Sequence, residues 1–414
     1  MLNKYKLSIT VLFIFSFSCT TRSQQSDIKK HENKTIIPSN AIPIIRENGR
    51  IILPVVLNDS VSTNLILDNG TTNLALDNTF TLKNNRHLML TYDSNFFCVI
   101  SMPDGKINAR LGKGNPIIKL GSSKIESSNF IYLYNMSGFY RDKVSGFFPI
   151  NWLGKNHLIY IDPRNSYITL PDTIDYKHYI KIPFTIDKSG AFCIQSTFKF
   201  NSKGSWYKLE GNFVLDFGNP RDEIWINKKK ISGLGLDFEE GYEMSQKDKK
   251  PFQIQNTYAD TASIVAFGKS YFKHLRISVE EEITSPYEQY VGVIGERLLE
   301  NYIVAIDYKN QLLYLKSINH ESVVTENKLY TNWGLNIRPF PISDFTDTTQ
   351  CKWIVAYLKV NQKAAINGIE LWDELQEIDG ILVNKFSLSE GIKALDNARK
   401  LTFRGNNGKL KLLE

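Results

Sequence analysis

The sequence predicts a mainly β protein in which one lobe occurs twice and is followed by a smaller α+β domain. Two apolar segments, Leu65–Thr71 and Phe213–Asn219, each contain an aspartate followed two residues later by a glycine. Such a run suits a strand buried on both faces, and the glycine permits the turn that follows it. Short segments rich in Tyr, Phe, Ile and Thr favour strands. We therefore expect each aspartate to be held where a strand becomes a loop.

The similarity continues along both halves in the same order and with nearly the same offset, which indicates a duplicated unit. Each apolar Asp-x-Gly segment is preceded by an Ile-Pro segment and followed by a Gly-containing apolar segment and a strand pair around an aspartate. The first copy uses Ile42–Ile45, Gly146–Leu153 and Leu158–Leu170, and the second uses Ile182–Phe184, Gly292–Leu299 and Tyr302–Leu315. We assign residues 41–175 to the first lobe and 176–320 to the second.

This order of elements resembles that of the pepsin and retropepsin aspartyl proteases, and it is most similar to bacterial members with a C-terminal PDZ domain. The resemblance covers residues 40–320 and implies an aspartic-type endopeptidase of the cell envelope. Asp68 and Asp216 would share one proton and activate a water, because two nearby carboxylates cannot both ionise cheaply. The resemblance implies no cofactor and no metal, and a peptide or protein substrate. The active-site loops would be Asn69, Gly70 and Thr71 in the first copy and Phe217, Gly218 and Asn219 in the second.

Several residues depart from the family pattern. The family usually has Thr or Ser after each aspartate, where a hydroxyl bonds across to the other lobe. Asn69 can still donate and accept hydrogen bonds, whereas the Phe217 side chain can do neither. Thr71 is expected to bond the outer oxygen of Asp68, and Asn219 would do so in the second lobe with different geometry. Pro149 replaces the glycine that the second copy keeps as Gly295, so we expect different packing beneath Asp68.

These departures leave two other functions open. The first is a catalytically inactive, protease-like lipoprotein that binds peptides in the groove between its lobes. The second is an envelope scaffold without a ligand, which would have no open cleft.

The N-terminal segment indicates export. Residues 1–18 contain two lysines followed by an apolar run too short to span a bilayer, which is typical of a signal peptide. Ser18 before Cys19 resembles a lipobox, although Ser16 stands where leucine is usual. This resemblance implies a lipidated Cys19 and membrane attachment by the lipid alone, and the alternative is plain cleavage of the signal peptide. Residues 19–40, rich in Ser, Thr, Gln, Asn and Lys, are expected to form a flexible tether.

The C-terminal region, residues 325–414, resembles a PDZ domain. Trp333, Gly334 and Leu335 match the loop whose backbone N–H groups hold a peptide carboxylate, which implies protein C-termini as partners. Residues 387–398 would form the second helix, and Trp372 stands where the family has glycine. The alternative is a small α+β domain without a ligand.

Other features of the chain limit its function. Residues 96–111 contain two strand-like runs around a Pro-Asp-Gly turn, so they could form a flap over the cleft or an ordinary hairpin. The net charge of +7 comes without an aromatic and basic stripe, so nucleic-acid binding is not expected. The six histidines show no short metal-ligand spacing, so no metal site is expected.

Overall fold

The structure is a computed structural model. It describes residues 37–47, 50–102, 105–126, 131–134, 144–154, 158–187, 190–218, 224–244, 251–280, 289–318, 323–324, 332–341, 351–386 and 388–414. Several expectations from the sequence lie wholly or partly outside these residues, among them the signal segment, lipidation of Cys19, the tether up to residue 36, and the role of Asn219.

The first lobe is mainly β, as the sequence predicts. Its strands are β1 (Ile42–Pro43), β2 (Ile45–Glu47), β3 (Arg50–Leu57), β4 (Val61–Asp68), β5 (Ala75–Asp77), β6 (Thr91–Met102), β7 (Gly105–Lys113), β8 (Ile117–Leu120), β9 (Ser123–Glu126), β10 (Ile131–Tyr134), β11 (Gly146–Pro149), β12 (Ile159–Asp162) and β13 (Tyr167–Thr169). Its helices are α1 (Asn78–Lys83), α2 (Asn85–Leu88) and α3 (Asn151–Gly154).

The second lobe repeats this order. Its strands are β14 (Ile180–Pro183), β15 (Thr185–Ile186), β16 (Phe192–Ser202), β17 (Ser205–Asp216), β18 (Ile224–Asn227), β19 (Glu239–Met244), β20 (Pro251–Ile264), β21 (Phe272–Glu280), β22 (Gly292–Gly295), β23 (Tyr302–Asp307) and β24 (Leu312–Ser317), and β25 (Val323–Val324) follows them. Its helices are α4 (Lys228–Ile231) and α5 (Glu296–Leu299), with a 3₁₀ turn at Val265–Phe267.

The two lobes have matching sheet topology. The strand order β6-β7-β10-β5-β11-β4-β3 in the first lobe corresponds to β19-β20-β21-β18-β22-β17-β16 in the second. A separate six-stranded sheet joins the lobes in the order β1-β13-β12-β23-β24-β14, and its two halves mirror each other across the central β12–β23 pair. The structure therefore has an approximate internal two-fold arrangement.

Local chemistry is duplicated with the topology. The carboxylate of Asp162 accepts from the backbone and amide of Asn165, and Asp307 accepts in the same way from Asn310. The side chains of Asp77 and Asn227 cap the short helices α1 and α4. Each of these polar side chains satisfies backbone N–H groups at a turn or a helix start.

The ends of β4 and β17, directly before the two aspartates, are buried on both faces. In β4, Leu65, Ile66 and Leu67 are all 0% exposed. β4 pairs in parallel with β11, and β17 pairs in parallel with β22. A Cβ at Gly146 or at Gly292 would overlap a backbone carbonyl of the neighbouring strand, which explains why both apolar segments begin with glycine.

The C-terminal region, which we call the C-terminal module, has its own hydrophobic core around Leu335, Val355, Leu375 and Phe403. Its elements are β26 (Leu335–Pro341), β27 (Cys351–Lys359), α6 (Lys363–Ile366), β28 (Glu374–Ile378), β29 (Ile381–Leu382), a 3₁₀ turn at Val383–Lys385, α7 (Leu388–Asn397), β30 (Leu401–Arg404) and β31 (Leu410–Leu413). Helix α7 lies within the predicted helix 387–398. Trp372 adopts a left-handed backbone conformation (φ 76°), which is usually reserved for glycine.

The module is joined to the second lobe by a strand pair that the sequence does not predict. β19 pairs antiparallel with β27, so the module extends the sheet of the second lobe. The pair is supported by an ion pair between Lys359 Nζ and Glu239 Oε2 at 2.7 Å and by a hydrogen bond from Val360 N–H to Glu240 O. A Cβ at Gly241 would overlap Tyr357 Oη, so the two strands approach closely only because residue 241 is glycine.

Candidate functional site

The two Asp-x-Gly loops have the same local geometry. Asp68 ends β4, and its Oδ1 accepts a hydrogen bond of 2.7 Å from Gly70 N–H. Asp216 ends β17, and its Oδ1 accepts one of 3.0 Å from Gly218 N–H. In both loops the glycine N–H fixes the carboxylate at the point where the strand ends.

The fold brings these two loops together. A Cβ placed at Gly218 would lie 2.6 Å from Oδ1 and 3.2 Å from Oδ2 of Asp68. The backbone of the second loop therefore lies directly against the carboxylate of the first, and a side chain at position 218 would displace it. This contact joins segments that are 150 residues apart in the sequence.

Asn69 bridges the loops through both ends of its amide. Its Oδ1 accepts from Phe217 N–H at 2.8 Å, and its Nδ2 donates to Leu215 O at 2.7 Å. The side chain is only 3% exposed, so both hydrogen bonds are shielded from water. A single residue thus braces the second loop on either side of Asp216.

Phe217, the counterpart of Asn69, is held by packing instead. Its side chain is 1% exposed, and its ring makes an edge contact with Phe192 at a centroid distance of 6.2 Å. Phe192 in turn contacts the ring of Tyr308 at 5.2 Å. Phe217 therefore offers the first loop no side-chain hydrogen bond, as expected, and an aromatic cluster surrounds it instead.

One expectation about the first loop needs correction. The Thr71 hydroxyl donates to Asn73 O at 2.7 Å, so its one proton is not directed at Asp68. Pro149 does not alter the strand register, because Pro149 lies opposite Asp68 just as Gly295 lies opposite Asp216. The hydrogen bond to Asp68 O comes from Ile150 N–H, one residue later, so the missing N–H of proline is not needed there.

Burial shapes the electrostatics of the site. It raises the pKa of Asp68 to about 6, although the N–H groups of Gly70 and Asn69 oppose this shift. Burial also raises the pKa of Tyr308, and the nearby charge of Asp68 raises it further. Tyr308 is not among the site residues expected from the sequence. Tyr308 follows Asp307 in the second copy of the repeat, where Pro163 follows Asp162 in the first, and this difference could have drawn attention to it.

A buried ion pair lies beside the second loop, and the sequence analysis missed it as well. The Arg46 guanidinium binds both oxygens of Glu296, at 2.8 and 3.1 Å, and also binds Glu300. The signal was Glu296 itself, a charged residue directly after the apolar segment that ends at Gly295.

The expected flap coincides with a long hairpin. Its strands β6 and β7 run over residues 91–102 and 105–113, beyond the expected limits of 96 and 111. The turn residues 103 and 104 lie outside the described residues.

The expected carboxylate-binding loop lies at the start of β26. Gly334 has φ 78°, and a Cβ there would overlap Gln362. Trp333 O accepts from Ala364 N–H, and Gly334 O accepts from Lys359 N–H. These bonds hold the loop against α6 and the end of β27.

Two features are absent from the described residues. This part of the chain contains no group of three or more His, Cys, Asp or Glu side chains that could hold a metal ion. None of its helices is long and apolar enough to cross a membrane.

Comparisons with known proteins give a distant structural likeness. No family model matches the chain, and no curated protein matches it. The crystal structure of an aspartic proteinase from Irpex lacteus is similar, with a TM-score of 0.43 and 14% sequence identity. The match covers 67% of this chain and 96% of that one. This likeness concerns the fold alone and assigns no residue roles.

Proposed function

We propose that the protein is an aspartic-type peptidase whose catalytic pair is Asp68 and Asp216. The observation that carries this proposal is the contact between the loops, which places Gly218 against the Asp68 carboxylate. This contact supports a site in which two equivalent strand ends present their carboxyl groups to one place.

The proposed chemistry is general acid–base catalysis. One carboxylate of the pair removes a proton from a water held between them, and the other, protonated, polarises the carbonyl of the scissile bond. The raised pKa of Asp68 supports a pair that keeps one proton in mildly acidic solution. Because the proton belongs to the pair, neither role is assigned to one residue.

The proposal extends to the rest of the chain. The C-terminal module would bind free C-termini of peptides or proteins at Trp333, Gly334 and Leu335, by β-strand addition. Lipidated Cys19 would anchor the exported protein to the membrane of a bacterial cell envelope. The lipobox-like sequence and the left-handed Gly334 support these two points.

Substitution of the two aspartates tests the proposal. Asp68→Asn and Asp216→Asn should each abolish hydrolysis of a peptide library, because each removes an ionisable carboxyl while preserving shape. Loss of acid–base assistance alone costs about 10²–10⁴-fold in rate. Asp59→Asn and Asp237→Asn are matched controls in the two lobes, since these carboxylates are exposed. Full activity in either dyad variant would refute the site.

A peptide-binding protein without hydrolytic activity is the second candidate. It is favoured by the Thr71 hydroxyl, which turns toward Asn73 O and leaves the outer oxygen of Asp68 without that donor. Wild-type protein that binds library peptides but cleaves none between about pH 4 and pH 7, the range around the raised pKa of Asp68, would establish this alternative.

A further inference from the structure

The two lobes support their aspartates with chemically different residues. Ile51 in β3 and Phe192 in β16 hold equivalent positions in the two lobes. Arg46 in β2 pairs with Ile51, and Ile186 in β15 pairs with Phe192, so Arg46 is the counterpart of Ile186. Glu296 follows Gly295, which pairs with Asp216, so it is the counterpart of Ile150 in the first lobe. An apolar residue in one lobe thus corresponds to a charged residue in the other at both positions.

Arg46 and Glu296 form a tight contact across the lobe boundary. Glu296 is 1% exposed and the Arg46 side chain 15%, and the guanidinium holds both carboxylate oxygens of Glu296. A second contact of 2.9 Å to Glu300 joins Arg46 to the far end of α5. All of these contacts are made by Nη2 of Arg46, so a single nitrogen of the guanidinium joins Glu296 and Glu300 to the first lobe.

We propose that Arg46 is a positioning residue for Asp216: from the first lobe it fixes α5, and with it the strand β22 that lies beside Asp216. The inference rests on the proposed function, because its main readout is peptide hydrolysis. β22 and Asp216 share a parallel ladder, so movement of α5 would move the register partner of the catalytic carboxyl. A displacement of about 1 Å at a reacting group can cost roughly 10²-fold in rate.

The charges around Glu296 explain why Arg46 is needed there. Burial raises the pKa of Glu296 to about 7, while Arg46 and Arg297 oppose this shift and Glu300 reinforces it. Removing Arg46 leaves the buried carboxyl of Glu296 without its partner, whereas replacing both residues with apolar ones is often neutral. The single and double substitutions therefore have different expected outcomes.

Kinetics of the full-length chain test the inference. Arg46→Met should lower kcat about tenfold to a hundredfold and leave KM within about twofold, at a temperature well below unfolding. Arg164→Met is the matched control, since Arg164 makes a longer, half-exposed contact of 3.7 Å to Asp162. The double variant Arg46→Ile/Glu296→Ile copies the isoleucines of the other lobe and should keep kcat within about threefold of wild type.

Three outcomes overturn the inference. They are a normal kcat in Arg46→Met, an equal loss in Arg164→Met, and a folded but inert double variant. If Arg46→Met does not fold, Arg46→Gln takes its place in the same comparison with the double variant.

If wild type cleaves no peptide, the proposed function fails separately and hydrogen exchange decides the inference. Arg46→Met should then speed exchange in residues 211–218 and 292–300 and leave residues 61–68 unchanged. Unchanged exchange in both of the first two segments would overturn it.

Discussion

At the scale of single residues, Asn69 alone links the two Asp-x-Gly loops. In a fully symmetric protein its counterpart, residue 217, would supply a second side chain for the same purpose. Its amide spans Phe217 N–H and Leu215 O, so one substitution removes both hydrogen bonds. Buried donors and acceptors that lose their partners cost about 1–3 kcal/mol each. The geometry of Asp216 therefore depends strongly on a residue in the other lobe.

Asn69→Val should reduce peptide hydrolysis more than Asn69→Thr does. Valine and threonine have similar shapes, but only threonine can accept from Phe217 N–H and donate to Leu215 O. We expect a lower kcat and a lower melting temperature for the valine variant, measured by peptide kinetics and calorimetry. Asn73→Ala serves as the control, because the amide of Asn73 makes an exposed contact of 3.4 Å with Thr72. Equal activity in both Asn69 variants would show that the brace is not needed.

The raised pKa values predict how stability depends on pH. Asp68 and Glu296 titrate near 6 and 7 in the folded protein, against ordinary values of 3.8 and 4.5. Between about pH 4 and pH 7 the folded state binds more protons than the unfolded chain, so the free energy of unfolding falls as pH rises. The stabilising contribution of these groups is complete below their unfolded pKa values and is lost as pH passes the folded ones.

Denaturant titrations at several pH values check this prediction. Glu296→Gln should flatten the profile between about pH 5 and pH 7, because glutamine does not titrate. The same substitution at exposed Glu210 should leave the profile almost unchanged. A wild-type stability that rises over this interval would contradict the assignment.

At the scale of elements, the sequence predicts what depends on local pattern. The apolar Asp-x-Gly strands, the duplicated turns and helix α7 follow from hydrophobic runs and turn residues, which act over a few positions. The consequence of Pro149 for strand pairing is not predictable from the sequence, since the effect of a proline depends on which N–H the neighbouring strand uses. That choice is visible only in the pairing of β11 with β4.

Contacts between distant elements could not be predicted from the sequence, for a physical reason. Arg46 and Glu296 are 250 residues apart, and neither residue alone has a pattern that identifies its partner. The β19–β27 pair depends on which strand is left at the edge of a lobe, and Gly241 alone does not reveal it. The duplicated order of segments predicts the architecture of the lobes, whereas the contacts that differ between the lobes are visible only in the structure.

At the scale of the whole molecule, the sheet of the C-terminal module and that of the second lobe are continuous through β19 and β27. In the first lobe, the equivalent strand β6 pairs only with β7 within the described residues. The duplication is therefore broken at one edge, and the module occupies the edge of the second lobe.

This junction makes the module a protective cover as well as a candidate receptor. Removing residues 325–414 would expose the N–H and C=O groups of β19 together with Tyr242, which is already 42% exposed. Unpaired strand edges are templates for self-association. We expect the truncated chain to form concentration-dependent aggregates in light scattering, and Tyr242→Lys to reduce them. A monodisperse, monomeric truncation product would show that the edge is harmless. A cleavage event in the segment before the module could thus change the solubility of the protein without touching its catalytic loops.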